Sequence, residues 1–198
     1  KEKVIELRRF FGVSSLKNMP TVKEFAPAFR QQEKSTVSHE SLAAWLRAGR
    51  IIADNRNVNI FDKRKLEQNI SKLRELTNLT EPNELIKQIT TVFADCGVVL
   101  ALVPTFPKSY VTGATFWLGK NKAVIMMSLR GAWSDIFWFS LFHEIGHILL
   151  HDKRVTFLEN GNLDFRYQKQ EEEADQFAQK ALIPSEKYKE FVSRCDFS

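Results

Sequence analysis

The stretch Ile136-Phe-Trp-Phe-Ser-Leu-Phe-His-Glu-Ile-Gly-His-Ile-Leu-Leu150 constrains the fold more than any other part of the chain, because it is apolar but for Ser140, His143, Glu144 and His147. A helix that is apolar on nearly every side must be buried. Polar groups carried inside with it cost about 1–3 kcal/mol or more each unless they find partners. The fold must therefore supply partners for two imidazoles and a carboxylate. Spaced i and i+4, His143 and His147 project from one helix face about 6 Å apart along the axis and can grip one metal ion. Glu144, next to them, is placed to take a proton from a water held by that ion, which generates hydroxide near neutral pH and directs it at a peptide carbonyl.

H-E-x-x-H on a helix is a zinc-peptidase signature. Two histidines and a water leave such an ion one protein ligand short. The acidic run Glu171-Glu172-Glu173-Ala174-Asp175 is the best source, and helical geometry selects among its members. At about 100° per residue, Glu171, Ala174, Asp175, Ala178 and Leu182 share one face, whereas Glu173 points the opposite way. A carboxylate centred on a face of Ala and Leu needs a strong partner, which a metal supplies, so Glu171 is read as the third ligand. Asp175, one turn on, is positioned to accept the free ring N–H of a ligating histidine. Glu172 and Glu173 are read as solvated residues near a helix start.

The segment FxLFHEIGHILLH followed by EEEADQFAQKALIP resembles the ImmA/IrrE family of metallopeptidases. The pattern of that family is an HExGH helix followed by a second helix of the form E-x-x-A-[ND]-x-F-A that ends in Leu-x-Pro. The resemblance covers about residues 98–184. It implies a zincin-like, gluzincin-like fold in which His143, His147 and Glu171 hold the metal and Glu144 is the catalytic glutamate. It also implies a thermolysin-like mechanism and, for characterised members, cleavage of helix-turn-helix repressors. Earlier segments, Leu7-Arg-Arg-Phe-Phe-Gly-Val13, Ala28-Phe-Arg30 and Leu42-Ala-Ala-Trp-Leu-Arg-Ala-Gly49, are similar to the region behind the DNA-binding domain of large HigA-like antitoxins or XRE-type regulators fused to this peptidase. A helix-turn-helix domain is thus expected ahead of Lys1, and any DNA contact is expected through it alone.

Charge is unevenly placed. Residues 1–80 hold 16 Lys+Arg against 9 Asp+Glu, and residues 81–198 hold 13 against 15. The basic front contains no base-reading motif and no aromatic-rich RNA sequence, so it reads as a solvated helical surface rather than a DNA footprint. Cys96 and Cys195 have neither metal-site spacing nor the density of a secreted scaffold, which points to reduced thiols and a cytoplasmic location. No signal peptide or spanning helix is visible, and no membrane association is expected.

Apolar spacing and breakers predict helices over 3–11, 21–32, 38–53, 62–78 and 81–95, with breaks at Gly12–Pro20 and Gln32–Ser38. After Gly97 the pattern becomes short and β-branched: Val98–Val103, Val111–Leu118 and Ala123–Leu129 predict a small three-stranded sheet covering a metal helix at 134–151, with a turn at Gly119-Lys-Asn121. The fold class is α+β and mainly helical, divided into a helical region over 1–80 and a metallopeptidase domain over 81–198. Val111–Trp117 is the candidate edge strand for an extended substrate, with Gly113 permitting close backbone approach or marking a bulge. His151 reads as a helix-end histidine near the last carbonyls, with contact to the substrate or to a metal ligand as the alternative. Arg130 and Tyr167 could stabilise an oxyanion, but no spacing fixes them, and Arg130 could pair with Asp135 instead.

The sequence therefore predicts a zinc endopeptidase, manganese being chemically admissible, that acts on a helix-turn-helix repressor within a transcription-regulatory, stress-response or toxin–antitoxin system. The competing reading is an antitoxin or regulator whose peptidase-like domain binds a partner or ligand without routine cleavage.

Overall fold

A computed structural model describes residues 2–22, 38–128, 134–151, 157–158 and 165–194, with backbone alone for 157–158, 165–167 and 185. Most of the helix expected over 21–32 lies outside the described residues, as do the Gln32–Val37 break, Leu129, Arg130, Cys195 and the Tyr167 side chain.

The helical front begins with α1 (Glu2–Phe11) and a 3-10 helix at Leu16–Thr21. The next helix, α2 (His39–Asp54), starts where Ser38 caps it by accepting from the Ser41 N–H. The helix expected over 62–78 is instead three short pieces: α3 (Lys63–Gln68), α4 (Ile70–Glu75) and a 3-10 turn at Leu76–Asn78. Asn69 makes the first break, because its side-chain amide donates to the Lys65 carbonyl and its backbone leaves the helical region. Helix α5 (Pro82–Asp95) has proline at its first position, where no intrahelical N–H is lost.

Strands β1 (Val98–Leu102), β2 (Gly113–Leu118) and β3 (Lys122–Met127) follow, with α6 (Ser134–Leu150), β4 (Phe157–Leu158), α7 (Phe165–Leu182) and α8 (Ser185–Arg194) completing the order. The sheet is mixed, in the order β1-β3-β2-β4. A turn through Gly119, at φ +67°, makes β2 and β3 an antiparallel hairpin, and β1 runs parallel to β3. The α+β class with a small sheet packed on α6 is as the sequence predicts. The two-residue strand β4 and helix α8 are additions.

Strand alternation divides the core into two faces. Val98, Leu100, Ala123, Ile125 and Met127 pack with α6, α5, α7 and the short helices α3 and α4 through Leu66, Leu73, Phe93, Leu141, Phe142 and Ala178. Val99, Ala101, Ala114, Phe116, Val124 and Met126 turn the other way, onto Leu42, Trp45 and Leu46 of α2 and Phe11 of α1. Gly49 of α2 permits the close approach on that side, since a Cβ there would stand 2.1 Å from Met126 Cε. No helix among the described residues is long and apolar enough to cross a membrane. Cys96 is a buried free thiol, and burial pushes its pKa up.

Candidate metal centre

Helix α6 is buried along most of its length, so His143, Glu144 and His147 are 3%, 0% and 2% exposed. Helix α7 runs antiparallel against it. The crossing is close because Gly146 faces Ala174: a Cβ at Gly146 would lie 3.1 Å from Ala174 Cα and 3.3 Å from its carbonyl oxygen. Two small residues at the crossing bring the α7 backbone near enough for the Glu171 carboxylate to reach both imidazoles.

One donor atom from each of His143, His147 and Glu171 falls within 4.8 Å of the others. The two Nε2 atoms stand 2.9 Å apart, and the Glu171 oxygens lie 3.2 Å from His143 Nε2 and 3.3 Å from His147 Nε2. Donors held at zinc-ligand distance around one tetrahedral ion are separated by roughly 3.3 Å, so two imidazole nitrogens and a carboxylate converge here much as one ion requires. Two imidazoles, neutral when they coordinate, and an anionic carboxylate are also a donor set suited to a divalent ion.

The outer ring nitrogens fix which edge of each imidazole faces this point. His143 Nδ1 lies 2.8 Å from Asp175 Oδ1, so Nδ1–H donates outward and Nε2 is left as the inward donor atom. His147 Nδ1 lies 2.9 Å from His151 Nδ1, and His151 Nε2 lies 3.1 Å from Glu173 Oε2. One tautomer set satisfies all of these contacts: His147 Nδ1–H donates to His151, and His151 Nε2–H donates to Glu173. His151 thus joins the polar chain behind the site, and Glu173 does not simply face solvent. The reason is register, since α7 crosses α6 so that the side of Glu173 meets the last turn of α6, a tertiary contact that a helical wheel does not contain.

The electrostatics follow from crowding imidazoles and carboxylates together in a buried site. Burial disfavours the charged form of His143, but the bond to Glu171 and the charges of Glu144 and Glu171 outweigh it and raise its pKa to about 9. Burial dominates at His147 and lowers its pKa, leaving it neutral. Burial also opposes ionisation of Glu171, yet its bonds to His143 and His147 bring it down to about 2.

Glu144 points to the sheet side of α6. Thr115 Oγ1 donates to Glu144 Oε2, and the Glu144 backbone carbonyl is 3.3 Å from the same hydroxyl. Gly113, two residues earlier on the same face of β2, makes room: a Cβ there would lie 2.4 Å from Glu144 Oε1. This corrects two expectations for the strand. Within it, β2 is paired with β3 on one side and with β4 on the other through Ala114↔Leu158 and Thr115↔Phe157, so it is not a free edge. Pairing with β3 is continuous from Gly113 to Leu118, so Gly113 is no bulge and the close approach it permits is that of Glu144. Thr115 went unrecognised in the sequence. The available signal was a hydroxyl on a strand otherwise destined for burial, on the same face as Gly113 by period-two alternation.

Residues 107–195 match the Peptidase_M78 family, described as the IrrE N-terminal-like domain. This is a metallopeptidase family and the one that the paired motifs resemble. The matched segment contains β2, β3 and both helices of the centre. No curated protein matches the chain.

Proposed function

We propose that the chain is a cytoplasmic zinc endopeptidase of a transcription-regulatory or stress-response system, with a helix-turn-helix repressor as its protein substrate. The observation that carries the reading is the convergence of His143, His147 and Glu171 donors beside the buried carboxylate of Glu144. A purely structural site has no use for such a base. His143, His147 and Glu171 would hold the ion, and manganese fits the same donors. When bound, the ion supplies Lewis acidity toward a water molecule and a peptide carbonyl. Asp175, and His151 backed by Glu173, hold the two imidazoles with Nε2 inward. Thr115 and the space at Gly113 hold the Glu144 carboxylate at the sheet side of the helix, where it accepts the proton of the attacking water and later delivers it to the departing amine.

Glu144→Gln tests this directly, because it keeps the size of the side chain and removes the base. Metal-loaded wild type and variant are incubated with the helix-turn-helix protein encoded beside the gene, and fragments are followed by mass spectrometry. Cleavage is expected from wild type and reduced about 10²-fold or more in the variant. Equal cleavage by both would reveal a contaminant. Tight binding by both without cleavage would move the assignment to an antitoxin or regulator that uses the domain for binding.

A further inference from the structure

Every other α-helix among the described residues buries at least one side chain, but α8 buries none: each of its described side chains, from Glu186 to Arg194, is exposed. Its backbone continues directly from α7, the Ile183 N–H donating to the Gln179 carbonyl and the Tyr188 N–H to the Pro184 carbonyl. A helix of 10 residues is marginal in water by propensity alone and draws its stability from an apolar face packed against something. Such a face is present. Tyr188, Phe191 and Val192, spaced i, i+3 and i+4 on one side of α8, are 56%, 60% and 39% exposed.

Charges are sorted around this stripe. At about 100° per residue, Lys187 and Lys189 stand along its two edges, whereas Glu186 and Glu190 lie on the far side of the helix. Arg194 pairs with Glu190, but Lys187 and Lys189 enter no ion pair among the described residues. An apolar stripe edged by ammonium groups is complementary to an apolar groove whose rims carry carboxylates. It is not complementary to its own copy, because two α8 helices laid stripe to stripe would set lysine edge against lysine edge. We propose that α8 is a docking helix that lays Tyr188, Phe191 and Val192 into an acidic-rimmed apolar groove of a second protein. Glu171 lies about three turns before the end of α7, roughly 16 Å along the axis, so docking at α8 and chemistry at the centre are separable.

Site-directed photo-cross-linking tests the face. The full chain is expressed in its source cells with p-benzoylphenylalanine in place of Phe191 or, as a control on the opposite side, in place of Glu190, and the peptides joined on irradiation are sequenced by mass spectrometry. The Phe191 position should join a protein at apolar residues flanked by Asp or Glu, and the Glu190 position should not. That protein is then purified and titrated with the full chain. Phe191→Glu should weaken binding about thirtyfold or more, the scale of losing a buried aromatic anchor. Lys187→Glu combined with Lys189→Glu should weaken it about tenfold, and wild-type binding should weaken as salt is raised. All three substitutions fall on exposed residues, so urea unfolding of the variants should match wild type. Adducts with a second copy of the chain or with lipid, equal adducts from both positions, adducts from neither, or an affinity indifferent to the two lysines would each overturn the proposal.

Discussion

Helices α2 and α6 lie on opposite faces of the same sheet, α6 the more completely buried, and they bring different chemistry to it. Helix α2 buries Leu42, Ala43, Trp45, Leu46, Gly49 and Ala53, whose only side-chain polar atom, Trp45 Nε1, donates to the Val103 carbonyl at 3.3 Å. Helix α6 buries Ser140, His143, Glu144 and His147 among equally large apolar groups. The strands follow suit: Ala114 and Phe116 face α2, whereas Gly113 and Thr115 meet Glu144. Buried apolar groups on both helices therefore do not by themselves mark either as a site helix. The difference lies in whether the buried polar groups are completed by other elements, here by β2 on one side of α6 and by α7 on the other.

The contrast predicts that damage to the α2 face changes stability and leaves the centre alone. Trp45→Ala deletes a side chain with 0% exposure and should cost about 3–5 kcal/mol in urea unfolding, with the folded fraction binding metal as wild type does. A loss of metal affinity at matched folded concentration would mean that the two faces are coupled. On the α6 face, Thr115→Val keeps the shape and removes the hydrogen bond to the buried carboxylate, worth about 1.5–3 kcal/mol. The expected outcome is a lower kcat with metal content unchanged, measured by peptide hydrolysis beside elemental analysis. Unchanged kcat would show that Thr115 does not position Glu144. The smallest effect should come from His151→Ala, which leaves all three ligands in place but removes the group that orients His147. Metal affinity should fall about 10–100-fold in a competition titration with a chelator, while Trp45→Ala leaves it unaltered.

How much of this was readable beforehand divides along the same line. His143, Glu144 and His147 sit at fixed offsets within one helix, and Glu171 and Asp175 occupy one face of another, so spacing was enough to nominate them. The fold class followed from the change of period after Gly97. What depends on contact between elements was not readable: the hydroxyl of Thr115 under Glu144, the space at Gly113, and the meeting of Glu173 with His151 all require the register of β2 and α7 against α6. The break at Asn69 was missed for a local reason, a side-chain amide competing for a helical carbonyl within an otherwise periodic run. β4 contains two residues and pairs with β2 at two positions, too short a stretch for alternation to be seen.

If His143, His147 and Glu171 form one divalent-metal centre, metal content must depend on each of them. The measurement is elemental analysis of wild type, His143→Ala, Glu171→Ala and Glu172→Ala, each purified without chelator. Wild type and Glu172→Ala should hold close to one equivalent of metal per chain, and His143→Ala and Glu171→Ala should lose it sharply. Full occupancy in Glu171→Ala, with the loss appearing in Glu172→Ala instead, would contradict this centre.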